Sequence, residues 1–282
     1  MKINRSLIAK SLAPLAAFAL IGFSAPATAA STWSNLGTNC SSTPGSGVPT
    51  GNTLNCGTSN SVSLNAKGYS TSNGTSSNSG TVFANAAVYN WGSGSGLGVV
   101  NQYENPGSTG PHAVDNEYGT DAVLLSFGAA VSLTSVGVGW VGSDSDFSLL
   151  AWTGAGAPTV ASKTLTGNAL TSSLLSSGWT LVGNYADPGT GQSNPVTVST
   201  SIYSSYWLVS AYNTSYGTSV ANGGAIGMGA LDSFKLLSVA GNTKPSGGGG
   251  SVPEPGSLAL MALAMTGLMA SRRGRGKSES QS

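Results

Sequence analysis

Charge is scarce in this sequence: Asp, Glu, Lys and Arg together make only 7% of 282 residues. That small amount is unevenly placed. Seven of the 11 basic residues lie towards the ends, Lys2, Arg5 and Lys10 at the start and Arg272, Arg273, Arg275 and Lys277 at the finish. The stretch between keeps four lysines against eight acids, a net of about −4. Such a body cannot neutralise a row of phosphates, so nucleic acid is excluded as a partner. Histidine is reduced to one, His112. That excludes multi-histidine zinc centres and the HExxH arrangement, and any Ser-His-Asp triad would have to pass through that residue. No Gly-x-Ser-x-Gly elbow is present. The glycine strings at 92–96 and 247–250 are followed by no Lys-Ser/Thr pair, so neither is a phosphate loop. Asp144 and Asp146 are a carboxylate pair, but they stand two positions apart, whereas glycoside hydrolysis needs two carboxyls held across a cleft. The expectation is a protein without catalytic activity. A repeat of fixed period is also lacking.

What remains is glycine (41 residues), serine, threonine and asparagine, interleaved with Val, Leu, six Trp and nine Tyr. Low charge accompanies disorder only when aromatic and β-branched residues are scarce, which they are not here. Short apolar runs separated by Gly and Ser turns describe a β-rich domain. Strand candidates fall at 61–66, 81–89, 97–103, 121–127, 131–140, 146–153, 179–185, 195–200, 205–213 and 231–239. Gly128-Ala129-Ala130 reads as a tight connection between two of them, and 142–145 as the next. Leu170, Leu174 and Leu175 suit one helical face, which suggests a short helix within 164–177. The expected fold is all-β: a β-sandwich, jelly-roll-like, over 31–240. Residues 241–251, ending in four glycines and Ser251, read as a flexible linker.

Both ends read as processing segments. In 1–30, the three basic residues precede an apolar stretch from Leu12 to Phe23, and Ala27-Thr28-Ala29 supplies the small residues a signal peptidase requires. Cleavage is expected after Ala29 or Ala30. The apolar stretch is too short to remain as a membrane anchor. After the linker come Val252-Pro253-Glu254-Pro255-Gly256-Ser257, then an apolar run from Leu258 to Ala270, then Arg272-Arg273-Gly274-Arg275-Gly276-Lys277. As a helix, 258–270 would extend about 20 Å, short against a hydrocarbon core of about 30 Å. It is expected to insert transiently in the inner membrane, with Arg272, Arg273 and Arg275 holding its end at the cytoplasmic face. The prolines keep the helix from extending backward and leave Glu254 accessible just outside it.

The order Pro-Glu-Pro, short apolar helix, arginine cluster resembles the PEP-CTERM sorting signal of Gram-negative bacteria that use exosortases. The resemblance covers 252–277. It implies that an exosortase recognises Pro253, Glu254 and Pro255 and removes the tail, and that the chain is exported to the cell surface or the extracellular matrix. A plain membrane anchor is the alternative. A looser resemblance runs over 111–154, from Pro111-His112-Ala113-Val114-Asp115-Asn116 through Asp121–Phe127 to Asp144-Ser145-Asp146-Phe147 and Trp152-Thr153-Gly154. It is similar to the body of a group of exosortase-dependent surface proteins and implies location but no chemistry.

Three residue sets carry the remaining expectations. Cys40 and Cys56 follow an export signal, so a disulfide is expected; two free thiols are the alternative. Asp115, Asp121, Asp144 and Asp146 lie in or beside loops at strand ends. Either they cap turns through their own backbone, or adjacent strands gather them into a calcium site. No other cofactor is expected. Trp91, Trp140, Trp152, Trp179 and Trp207, with Tyr185, Tyr203, Tyr206 and Tyr212, either build the core or form a stacking platform for sugars. The combined expectation is an exported, exosortase-processed protein with a structural or adhesive role in the envelope, biofilm or floc matrix. A carbohydrate-binding module, assisted by calcium, is the alternative, with extracellular polysaccharide as partner.

Overall fold

The computed structural model describes residues 30–42, 50–71, 81–101, 112–142, 144–165, 172–188, 194–222, 224–227, 231–244 and 264–265. The expected signal peptide with Ala27 and Ala29, the Pro253–Pro255 motif and Arg272, Arg273 and Arg275 lie outside the described residues. So does the expected membrane helix, save for Ala264 and Met265, which are helical. Among the described residues no helix is long and apolar enough to cross a membrane.

Thirteen strands follow in chain order: β1 (Ala30–Trp33), β2 (Ser41–Ser42), β3 (Thr53–Ser59), β4 (Val62–Ser70), β5 (Ala84–Asn90), β6 (Leu97–Val100), β7 (Val114–Asp115), β8 (Asp121–Val141), β9 (Phe147–Trp152), β10 (Trp179–Tyr185), β11 (Val196–Thr197), β12 (Ser204–Ala211) and β13 (Ser233–Thr243). Two single-turn helices, α1 (Leu36–Asn39) and α2 (Ser173–Ser176), interrupt them. The all-β expectation holds. The two facing sheets of a sandwich are not what is seen: all thirteen strands belong to one sheet. Five of them close on themselves in the order β8-β4-β5-β6-β13-β8, a barrel.

Closure depends on β8, which is 21 residues long. Its first half, Asp121–Phe127, lies between β4 and β12. Its second half, Val131–Val141, pairs with β13, and Val136 and Ser135 pair with β11. The bend falls at Gly128-Ala129-Ala130. The turn expected there does not exist; two expected strands are one. A Cβ on Gly128 would come within 2.6 Å of the Ser63 hydroxyl. Glycine therefore lets β4 approach the bend, as at other barrel corners.

Both faces of this sheet are covered, which is why several strands read as unbroken apolar runs. On one face, Leu64, Ala66, Val88, Val99, Val123, Leu125, Val138 and Leu236 pack together within the ring strands, and Leu149, Trp207 and Val209 continue that layer through β9 and β12. On the other, Ala122, Leu124, Leu150 and Leu208 are joined by Phe83, Val160, Leu165, Leu174, Trp179 and Tyr216. The helix expected over 164–177 is described only as α2; Leu165 instead enters this second cluster.

The ends of the body are tied in. β1 pairs with β13, Ala30 opposite Asn242 and Trp33 opposite Val239, and Trp33 meets Phe127 edge-on at 4.8 Å. β13 runs to Thr243, so Gly241, Asn242 and Thr243, assigned to the linker from sequence, are paired strand. Residues up to Lys244 form one compact unit and 245–282 another. The expected disulfide between Cys40 and Cys56 is present. It joins the end of α1 to β3, with both sulfurs' residues buried.

Candidate functional site

Strand order gathers carboxylates that are distant in sequence. Asp144 and Asp146 precede β9, Asp232 precedes β13, and a parallel bridge pairs Asp144 with Asp232. One carboxylate oxygen from each of the three lies within 4.8 Å of the others. Asp146 and Asp232 are fully buried. Asp187, beyond β10, adds a fourth carboxyl through a side-chain hydrogen bond to Asp144.

The surrounding bonds hold these groups in place. Asp232 accepts from the Asn116 side-chain amide at 2.7 Å and from the Asp146 backbone N–H at 2.9 Å. Asp146 accepts from the backbone N–H groups of Asp187 (3.0 Å) and Gly227 (2.7 Å). Asn116 also ties the group to β12's exit by donating to the Tyr212 carbonyl at 3.1 Å. Burial pushes the Asp232 carboxyl up to about 8, with the charges of Asp146 and Asp144 adding to the rise. Asp146 is raised by burial, and Asp187 by its bond to Asp144, then by burial. Four acids crowded in this way repel one another unless protons or a cation intervene. Every donor here is oxygen, the set a hard cation such as calcium takes. Two carboxylate oxygens of Asp146 and two of Asp232 are already bonded once, and each retains a second lone pair.

Of the four residues expected to form such a site, Asp144 and Asp146 are brought together and Asp115 and Asp121 are not in the group. Asp115 sits on β7 opposite Ser233 and accepts from the Glu117 N–H at 3.1 Å; burial pushes it up to about 7. Asp121 starts β8, fully buried, and its carbonyl accepts from Ser210. Asp232 and Asp187 escaped the sequence reading because they lie 86 and 41 positions from Asp146. The one available signal was that Asp232, like Asp144 and Asp146, stands at the head of an expected strand.

The aromatic residues divide. Trp179, Trp207, Tyr185 and Tyr212 are buried, and Trp207 donates from Nε1 to the carbonyls of Val131 and Ser204. Trp91 is 37% exposed, but its ring is already engaged. His112 stacks on it at 5.5 Å, and the Lys235 ammonium lies 4.3 Å from its centre and 4.7 Å from that of Trp140. Burial in this cage lowers the Lys235 ammonium. Trp152, Tyr203 and Tyr206 remain half-buried at the far end of the sheet.

No curated protein and no solved structure matches this chain. Residues 251–273 match the PEP-CTERM protein-sorting motif. The match takes in Pro253, Glu254, Pro255, the apolar run and the first two arginines, and none of the β body. The motif indicates a bacterial protein that is exported, targeted to exosortase and sorted to the cell surface.

Proposed function

We propose that the β body is the mature product and serves as a non-enzymatic structural or adhesive protein of the bacterial envelope or extracellular matrix. The observation that carries this reading is the sorting motif at 251–273, which follows a body that ends in paired strand at Thr243. Exosortase takes Pro253-Glu254-Pro255 as its recognition segment. The apolar run 258–270 inserts transiently in the inner membrane, and Arg272, Arg273 and Arg275 stop it. Signal peptidase acts after Ala29 or Ala30, at the start of β1. Gram-negative architecture, with an outer membrane to cross, fits this route.

The low charge of the body supports a role among hydrated polysaccharide. The disulfide suits a compartment without reducing thiols. Calcium held by Asp144, Asp146 and Asp232 would act as a structural cross-link between the starts of β9 and β13, with no part in bond-making.

The test is the mature C-terminus. Intact mass and cell fractionation are compared in the host with and without functional exosortase. Loss of the tail beyond about Pro255 only when exosortase is present, with the body outside the cell, is the expected result. Residues 256–282 persisting in both strains, with the protein in the inner membrane, would make the tail a simple anchor and overturn the assignment.

A further inference from the structure

A cleft of about 290 Å³ opens between the end of β9 and the start of β12. Its origin is an irregularity in the strand pairing. Ser204 pairs with Val131 of β8 but Tyr206 with Ser126, so residues 127–130 of β8 stand opposite Ser205 alone and β8 bulges there, at its bend. The Ser204 hydroxyl turns inward, 2.7 Å from the Trp152 carbonyl and 2.8 Å from that of Tyr206, and accepts from the Tyr206 N–H at 3.0 Å. That pins the start of β12 to the end of β9 and brings Tyr203, Ser205 and Tyr206 alongside Trp152 and Thr153.

The Trp152 ring is held on several sides. Its Nε1 donates to the Gly156 carbonyl at 2.8 Å. It lies so close to Gly154 and Gly178 that a Cβ at either position would come within 2.5 and 2.9 Å of the indole. Trp179 meets it edge-on at 5.5 Å. A ring fixed in this way loses little freedom when a ligand settles on it.

The chemistry of the walls narrows the ligand. Three aromatic rings, Trp152, Tyr203 and Tyr206, stand among the hydroxyls of Thr153 and Ser205, with Ala130 at the bend of β8, two glycines and Ser204 in the rest of the lining. Among the described residues, none that lines the cleft is charged. An ionic ligand would lose hydration there with nothing to replace it. A neutral polyhydroxyl ring fits both components: its C–H face lies on an aromatic ring, and its hydroxyls exchange bonds with those of Tyr, Ser and Thr. The volume is at the small end of ligand pockets, about 300–1,000 Å³, so the cleft takes one or two rings of a chain. The Trp91 ring offers no equivalent surface, because His112 and Lys235 already cover it.

We propose that the cleft formed by Trp152, Tyr203 and Tyr206 binds neutral hexose units of a polysaccharide, with equatorially substituted sugars preferred because their flat C–H faces stack best. This goes beyond the sorting reading by giving the body a ligand site, and its test does not depend on the tail.

Titration calorimetry of the protein as purified from its host, with cellotetraose and chitotetraose as probes and tetragalacturonate as the charged control, checks it. Saturable binding of at least one neutral probe at millimolar concentration is expected, with little or none of the control. Tyr203→Ala should weaken binding by about tenfold or more through loss of a stacking surface, at an unchanged melting temperature, since Tyr203 belongs to neither packed cluster. Trp152→Ala should abolish binding but also loosens the contact with Trp179, which makes Tyr203→Ala the deciding variant. No saturable heat with either neutral probe, equal binding of tetragalacturonate, or undiminished binding by Tyr203→Ala would each overturn the proposal.

Discussion

Asp232 is buried among acids, and this decides how the protein responds to pH. Its carboxyl is pushed up to about 8 and that of Asp115 to about 7, chiefly by burial, whereas an unfolded aspartate titrates near 4. Between those values the folded chain holds more protons than the unfolded one, so stability falls as pH rises. The contribution is complete below about pH 4 and is lost progressively up to about pH 8. In chelator, the melting temperature should therefore drop from pH 5 to pH 8. Calcium should raise the pH 8 value, because it favours the ionised carboxylates. Thermal melts under both conditions check this: a flat profile in chelator would remove the account of buried carboxylates, and indifference to calcium at pH 8 would remove the cation. Asp232→Asn should flatten much of the slope. A second residue-scale expectation concerns Trp207, fully buried with its indole N–H bonded to two carbonyls. Trp207→Ala should cost about 3–5 kcal/mol in chemical denaturation; a loss well below 1 kcal/mol would mean the site collapses without strain.

At the scale of elements, β8 is the strand on which the fold turns. With partners on both sides of Asp121–Phe127, its amides there should be among the slowest to exchange with deuterium, while α2 exchanges quickly. Fast exchange at 122–125 would contradict the pairing. The disulfide between α1 and β3 closes a loop of about 15 residues, worth about 3 kcal/mol by chain entropy, and denaturation with and without reductant should show a loss of that order. Much of this level was legible. Trp179–Tyr185 was read at its observed bounds, and β4, β5, β9, β12 and β13 were each read within a few residues, because their apolar runs are flanked by Gly, Ser and Asn. The bend at Gly128-Ala129-Ala130 was not. Small residues signal a turn and a barrel corner alike, and only pairing tells them apart. β1, β3 and β7 escaped because they are short or rich in Ser, Thr and Asn; neighbouring strands hold them rather than their own propensity. The acidic site was half legible for the same reason. Asp144 and Asp146 lie two apart in the chain, but Asp232 joins them only through the placement of β13 beside β8.

For the whole molecule, the order of the strands matters more than any one of them. β13 closes the barrel against β6 and β8, supports β1 and β7, and carries the approach of Asp232 to Asp146. A chain truncated before Ser233 should lack cooperative unfolding and show rapid amide exchange throughout; a cooperative melt would show that the remaining strands suffice. On the proposed route, with the signal peptide leading, the chain would cross a membrane N-terminus first and its opening strand would wait for its last partner. Ala30–Trp33 would emerge early yet find Val239–Asn242 only when some two hundred further residues had passed. Such non-local closure is slow. The sorting motif begins at residue 251, eight positions after Thr243. On that route, translocation would deliver the final strand and the exosortase recognition segment almost together, so the folding of the body would become a clock against which release of the tail is timed.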